Sequence, residues 1–281
     1  MGTNKKIAVL SGKGGTGKTL VSVNLATAEA NSYYVDCDVE EPNGHLYFNP
    51  QICEEKAVSV LIPKVNHELC TGCKECVNFC KFNALAFGEK VILFKEICHS
   101  CGGCALVCSV KAITETEKMV GIVNIGVSDQ VKTVGGMMNT GEASGIPIIK
   151  NILEYIKDKS GYVFIDCPPG SACIVMESIK DADYCILVAE PTIFGAHNLA
   201  MVYELVRLFD KPCGVVLNKC TDGHNPSEEF CKEKSIEILV KIPFDMELGE
   251  LNSNGKIAVR ENYKNKELFY SLLTKVKEAV E

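Results

Sequence analysis

A doubly wound α/β fold with a mostly parallel sheet, interrupted by a smaller cysteine-rich unit, is the architecture this sequence predicts. Three observations predict it. Short apolar runs alternate with helix-length stretches along most of the chain, the pattern of strands joined by crossover helices. The first run, Ile7 to Leu10, opens directly into a glycine-rich turn, Gly12 to Thr19. Between about residues 63 and 114 the alternation stops, and two copies of one cysteine pattern take its place, offset by 28 residues (Cys70 to Cys98).

Taken in order, strands are expected near 7–10, 33–36, 120–125, 162–166, 184–189, 214–218 and 238–242, each an apolar run short enough for a buried parallel strand. Helices are expected near 18–30, 148–159, 173–181, 197–209 and 227–233. The segment from Pro63 to Thr114 is short-looped and has no helix long enough for a crossover. The organisation is therefore 1–63, first part of the nucleotide domain; 64–115, insert; 116–281, second part. A last helix over 264–280 gathers Leu268, Phe269, Leu272, Leu273, Val276 and Val280 on one face. Its other face mixes Lys with Glu, which favours packing on the sheet over contact with a membrane.

At 281 residues, 47% hydrophobic and 23% charged, the chain has the balance of a soluble globular protein with a full sheet core. A net charge of −7 opposes broad nucleic-acid binding, which requires basic surface. No run reaches the about eighteen apolar residues of a membrane span, so no stable membrane insertion is expected. The first residues lack a signal-peptide core, and Lys6 breaks the Gly2 myristoylation pattern, so a cytoplasmic location is expected. Sixteen cysteines in such a chain point to metal ligation, because cytosolic thiols stay reduced.

Gly12-Lys13-Gly14-Gly15-Thr16-Gly17-Lys18-Thr19 fits G-x4-G-K-S/T between a strand and a helix, the context this phosphate-binding loop requires. Its glycines let backbone N–H groups converge on phosphate oxygens, and the following helix aims its positive end at the same anion. Lys18 reaches the β/γ-phosphates and Thr19 places its hydroxyl on Mg²⁺ in this motif. The expected ligand is a nucleoside triphosphate with Mg²⁺. Asp36 and Asp38 end the second strand; carboxylates two residues apart share a face and, at a strand's C-terminal end, border the ligand crevice.

Cys70, Cys73, Cys76 and Cys80 form C-x2-C-x2-C-x3-C, and Cys98, Cys101, Cys104 and Cys108 repeat it. That spacing is the two-cluster iron–sulfur signature, in which the fourth cysteine serves the other cluster. One [4Fe–4S] cluster is expected on Cys70, Cys73, Cys76 and Cys108, and a second on Cys98, Cys101, Cys104 and Cys80. Structural zinc fits less well, since tetrahedral sites use isolated C-x2-C pairs. Lys81 and Ser109 stand where a proline usually follows each fourth cysteine. The remaining cysteines sit mostly in apolar contexts and read as small buried hydrophobes.

Together these motifs resemble the P-loop ATPases of the MinD/Mrp/nitrogenase-iron-protein class, in the subset that carries an inserted ferredoxin domain. Besides the loop and the eight cysteines, the resemblance rests on Asp36-Cys-Asp-Val-Glu-Glu-Pro-Asn43, Gly141-Glu-Ala-Ser-Gly145, Asp166-Cys-Pro-Pro-Gly170 and Glu190-Pro-Thr192. It implies an ATP-sandwich homodimer, or a heterodimer with a paralogue, in which Lys13 crosses to the partner's nucleotide. Chain-wide scarcity of arginine, with Arg207 and Arg260 alone, suits a lysine in that role. It further implies Asp38 at the attacking water and Asp36 in support of Mg²⁺, two roles that could be exchanged. Asp166 is the implied Mg²⁺ ligand, Pro168-Pro169-Gly170 the γ-phosphate switch, Asn218 the adenine reader and Ile242-Pro243-Phe244-Asp245 the loop beside the base.

Cys173, seven residues after Asp166, matches one of two cluster-bridging cysteines of the nitrogenase iron protein, but the second has no counterpart here. The leading expectation is ATP hydrolysis coupled to electron transfer through the two clusters, with an unidentified redox or client protein as partner. The alternatives are an ATP-dependent cluster carrier or scaffold, and a MinD-type positioning ATPase with a structural ferredoxin module.

Overall fold

The structure, a computed structural model, describes residues 4–281. In chain order the first half contains β1 (Asn4–Leu10), α1 (Lys18–Ala28), β2 (Tyr33–Asp36), α2 (Gly44–Phe48) and β3 (Gln51–Val65). The cysteine-rich unit follows with α3 (Glu75–Phe79), the hairpin β4 (Leu85–Phe87) and β5 (Val91–Leu93), and α4 (Gly103–Leu106). The chain then returns through β6 (Ile113–Ser128), β7 (Val131–Met138), α5 (Ile146–Ile156) and β8 (Gly161–Asp166). It continues through α6 (Cys173–Ile179), β9 (Tyr184–Ala189), α7 (Ile193–Leu208), β10 (Cys213–Cys220), α8 (Pro226–Lys234) and β11 (Ile238–Pro243). Helices α9 (Met246–Ser253), α10 (Ala258–Glu261) and α11 (Tyr263–Val280) close the chain.

The nine-stranded sheet runs β11-β10-β9-β1-β8-β2-β7-β6-β3. From β11 to β7 all neighbours are parallel; β6 and β3 are antiparallel additions at one edge. The central strands are buried on both faces because helices cover both. Along β1, Ala8 and Leu10 pack with Ile148, Ile152 and Val202 on one side, while Ile7 and Val9 pack with Leu25, Phe269 and Val276 on the other. The apolar stripe of α11 thus lies on the sheet, with Phe269, Leu272, Leu273 and Val276 buried. Among the described residues, no helix is long and apolar enough to cross a membrane.

Three differences from the sequence expectation have physical causes. Strand β3 was not foreseen: Gln51 to Lys56 is exposed on the sheet edge and sets Ile52 and Cys53 among charged residues, so it carries no apolar run. Strand β7 was missed because Gly135-Gly136 interrupts its apolar run; Gly136 lets Ile148 and Val39 approach the backbone, where a Cβ would stand 2.4 Å from Ile148. Helix α7 begins four residues before the expected 197, since Thr192 caps it by accepting the Gly195 N–H.

The edge ribbon determines where the cysteine-rich unit sits. β6 pairs with β7 only from Gly121 onward, yet pairs with β3 as far as Val65 opposite Ile113. Residues 59–65 and 113–120 therefore form a two-stranded arm beyond the end of β7. Because β7 is parallel to β2, this arm projects from the rim on which the parallel strands end. The expected junctions at 63/64 and 115/116 lie within the arm.

Residues 66–112 at its tip repeat themselves in backbone as well as sequence. Left-handed residues recur at the 28-residue offset as Gly72 and Ser100, Lys74 and Gly102, Asn83 and Lys111. Both short helices start on such a residue, and Cys76, Leu85, Val91 and Ile113 form a small core between them.

Candidate nucleotide site and cysteine sites

Strands β1, β2 and β8 end side by side, so the loop after β1 and the carboxylates of the other two share one rim. Gly15 (φ 77°) and Gly17 (φ 102°) turn the loop back on itself, and a Cβ on Gly17 would collide with Asn218 Nδ2 at 2.2 Å. Asn218 earns this proximity by donating to the Thr16 carbonyl at 2.8 Å, while its own Oδ1 accepts the Lys219 N–H. Ser11 accepts, through its carbonyl, the Gly170 N–H at 2.9 Å, tying the 168–170 turn to the loop.

Lys18 is buried with its ammonium 3.5 Å from Asp166 Oδ1 and 4.0 Å from Asp38 Oδ2. Burial alone would lower its pKa, but Asp166 and Asp38 outweigh that and hold it above the ordinary lysine value. Asp166 also accepts the buried Tyr34 hydroxyl at 3.0 Å. Burial, followed by the Asp166 charge, raises Asp36 above the carboxylate range, while burial pushes Asp38 up to about 6 against the pull of Lys18. Lys18 thus serves as counter-charge to a carboxylate group that an incoming cation and phosphate could take over.

Next to this group is an open cavity of about 880 Å³. Gly14, Gly15, Gly17, Lys18, Thr19, Asp38, Asn218 and Pro243 line it, with Tyr47, Phe244 and Leu248 supplying apolar wall. Its loop amides and lysine suit phosphates, and its apolar end suits a planar base. Other expected residues lie outside its lining. Gly12 packs against α7, where a Cβ would meet the Asn198 carbonyl oxygen at 2.5 Å, and Thr16 is buried beneath the loop. Asp36 is committed to backbone: Oδ1 accepts from Asp38 N, and Oδ2 from Asn43 N and Gly44 N. As placed, Asp36 braces the 38–44 loop, and Asp38 is the carboxylate exposed to the cavity.

Lys13 is not among the residues lining the cavity; its ammonium pairs with Glu190 at 2.6 Å. Glu190 also binds Lys219 at 2.7 Å, and Lys219 donates to the Gly15 carbonyl at 2.8 Å. Burial would raise Glu190, but the two lysines hold it below its ordinary value. Glu190, Lys219 and Tyr34 were assigned no role by sequence reasoning. Only the position of Glu190 at the end of β9 could have signalled it, as a strand-end carboxylate on the ligand rim.

At the tip of the arm, Cys76 is raised chiefly by burial and then by Cys108 and Cys70 beside it. Cys104 is pushed to about 11 by burial, with Cys98 and Cys101 as its thiol neighbours. Six of the eight cysteines thereby fall into two sets; Cys73 is exposed and Cys80 half-buried. Cys80 Sγ accepts the Ala84 N–H at 3.3 Å, and Cys108 Sγ accepts the Ala112 N–H at 3.2 Å, another pair at the repeat offset. Among the described residues, no three His, Cys, Asp or Glu side chains converge as a site for a single metal ion. Cys173 is exposed at the first turn of α6.

The chain is 32% identical to uncharacterized protein MJ0578 of Methanocaldococcus jannaschii over 100% of its own length and 99% of that protein. It is 23% identical to an iron-sulfur cluster carrier protein of the same organism, covering 98% of this chain and 85% of the relative. In fold it is similar to the septum site-determining protein MinD from Pyrococcus horikoshii, solved with Mg-ADP, at TM-score 0.63 and 19% identity over 98% and 97% of the two chains. Residues 7–259 match the CobQ/CobB/MinD/ParA nucleotide binding domain, and the chain belongs to that family of MinD/ParA-type P-loop ATPases.

Proposed function

We propose that this protein binds and hydrolyses ATP and couples its nucleotide state to electron transfer through two [4Fe–4S] clusters held at the tip of the arm. The observation that carries the reading is the arm itself: it leaves the sheet on the same rim as Lys18, Asp38 and Asp166 and ends in the duplicated cysteine unit. In this reading Lys18 leaves its carboxylates for the β/γ-phosphates, Thr19 and Asp166 hold Mg²⁺, and Asp38 orients and deprotonates the attacking water. Lys13 leaves Glu190 to reach the nucleotide of a second copy across a homodimer.

The donor sets fit iron–sulfur clusters. Thiolates are soft ligands, and Cys108 of the second sequence copy lies beside Cys76 and Cys70 of the first, as the crossed pattern requires, while Cys98 and Cys101 lie beside Cys104. Cys73 and Cys80 complete the two sets. Each thiolate of a four-iron cluster binds a different iron, so the four sulfurs need not converge on one point as they do around zinc. The N–H groups of Ala84 and Ala112 donate to Cys80 Sγ and Cys108 Sγ at matched positions of the repeat. Bound clusters supply one-electron storage; the chain's part is to hold them and to set their exposure.

The test is anaerobic purification, an iron count, and EPR spectra of the dithionite-reduced protein with and without MgATP. Iron near eight per chain, a number set by two four-iron clusters, together with a nucleotide-dependent spectrum or potential, is the expected result. Full iron that is insensitive to nucleotide overturns the coupling. Similarity to the iron-sulfur cluster carrier favours a second reading, ATP-dependent cluster delivery, which predicts loss of iron to an apo-acceptor instead.

A further inference from the structure

The segment between β7 and α5 joins the nucleotide rim to the arm. At one end it is fixed to the neighbour of Asp38: Met138 N donates to the Val39 carbonyl at 2.9 Å. Gly145 approaches so closely that a Cβ there would lie 2.4 Å from Val39 Cγ2. At the other end it is fixed to the arm, where Asn139 N donates to the Val120 carbonyl and Asn139 Nδ2 to the Met119 carbonyl. Any shift of the Asp38–Val39 backbone is therefore carried into residues 138–145 by packing and by a ladder bond.

Glu142 lies in the middle of this segment. Its Oε2 meets Lys118 Nζ at 2.8 Å, with the two side chains only 11% and 19% exposed. Lys118 stands on the free part of the arm, past the end of β7, and its ammonium also donates to the Lys95 carbonyl at 2.9 Å. Lys95 opens the single helical turn over Lys95–Ile97 that delivers Cys98. One ammonium thus holds Glu142 of the 138–145 segment and the backbone that leads into the second cysteine set. Shielding from water gives such a pair a defined geometry that exposed ion pairs lack.

We propose that Lys118 and Glu142 form a positioning strap that passes the state of the Asp38 loop to the Cys98–Cys104 segment. The strap rests on the reading of the site as a nucleotide site, and it assigns residues to the coupling which that reading requires. Binding of MgATP at Asp38 moves Val39, Val39 moves the 138–145 segment, and Glu142 then pulls on or releases the lysine that holds Lys95. Neither residue lines the cavity, and their bonds run to each other and to the Lys95 carbonyl. Both act through what they hold in place.

Amide hydrogen exchange on the full-length, anaerobically purified protein tests this, with and without a non-hydrolysable MgATP analogue. In the wild type, residues 12–19 and residues 93–101 should both change their exchange when the analogue binds. In Lys118→Met and Glu142→Gln the change at 12–19 should persist, the nucleotide-dependent change at 93–101 should be lost, and iron content should be retained. Lys118→Arg, which keeps the charge and has donors for both acceptors, should restore it.

A purely structural clamp would instead raise exchange at 93–101 equally in both states and leave the nucleotide-dependent difference intact, which overturns the proposal. So does a wild type that responds at 12–19 alone, with the nucleotide reading still standing. If 12–19 itself does not respond, the nucleotide reading fails and the strap fails with it.

Discussion

Asp36 and Asp166 are register partners on adjacent parallel strands, and Cys37, next to Asp36, donates its backbone N–H to the Asp166 carbonyl at 2.9 Å. Two like charges are thereby fixed side by side in a buried place. What makes this tolerable is a division of partners. Asp36 takes three backbone N–H groups, whereas Asp166 takes the Tyr34 hydroxyl and the Lys18 ammonium. Asp38 is left lining the cavity, 4.0 Å from the Lys18 ammonium.

Burial raises Asp38 from 3.8 to about 6, so the folded, nucleotide-free protein holds this proton more tightly than the unfolded chain does. Its contribution to stability is fully present below 3.8 and is lost as pH rises through about 6. The melting temperature of nucleotide-free wild type should therefore fall relative to Asp38→Asn across that window, as paired thermal scans would show. Activity has the opposite sign. If Asp38 acts on the attacking water as a carboxylate, kcat/KM for ATP rises through about pH 6, and Asp38→Asn lacks that limb.

Gly17→Ala should disable the loop at the level of backbone. The position has φ 102°, and the added methyl would stand 2.2 Å from Asn218 Nδ2, whose bond to the Thr16 carbonyl would have to break. Strain of this kind costs about 1–3 kcal/mol, readable in urea unfolding. Asn218→Ala should lose the bond without the strain and destabilise by about 1 kcal/mol. Equal losses in the two variants would contradict the close packing of Gly17 on Asn218.

Glu190→Gln should free Lys13 without unfolding anything. Lys13 is 41% and Lys219 44% exposed, so each pair contributes only about 0–1 kcal/mol, and thermal stability should barely move. If Lys13 must leave Glu190 to reach a second copy, Glu190→Gln should dimerise with MgATP at lower protein concentration, and Lys13→Ala should remain monomeric. Sedimentation at several concentrations decides between this and a Lys13 that serves only its own loop.

Legibility followed the range of the interactions. The loop from Gly12 to Thr19 and the strands ending at Asp36 and Asp166 were readable, because motif spacing and two-sided burial are local properties. Strand β3 was not: its exposed outer half is held by pairing with β6, from Gln51 opposite Val127 to Val65 opposite Ile113, a partnership no nearby residue announces. Glu190 and Lys118 escaped for the same reason, since their partners lie at Lys13, Lys219 and Glu142, across the sheet or across the arm. The cysteine repeat was visible as spacing, yet its backbone counterpart, left-handed residues such as Lys74 and Gly102 at matched positions, appears only in three dimensions.

That repeat makes the crossed ligand pattern testable by pairs of substitutions. Cys76 has Cys108 and Cys70 as its thiol neighbours, although Cys108 belongs to the other sequence copy; Cys104 has Cys98 and Cys101. Cys76→Ala and Cys108→Ala should therefore damage the same cluster, and each should lose about four of about eight irons per chain. The double variant Cys76→Ala/Cys108→Ala should lose no more than either single one, because both cysteines serve one site. Cys76→Ala/Cys104→Ala should lose nearly all iron, since each removes a ligand from a different site. An uncrossed arrangement reverses the result for Cys108, whose loss would then add to that of Cys76 and overlap with that of Cys104. Cys173→Ala, altering an exposed thiol on α6, should leave iron unchanged. Iron counts on these five proteins separate crossed from uncrossed ligation, and cluster binding from the binding of zinc, which would replace iron in all of them.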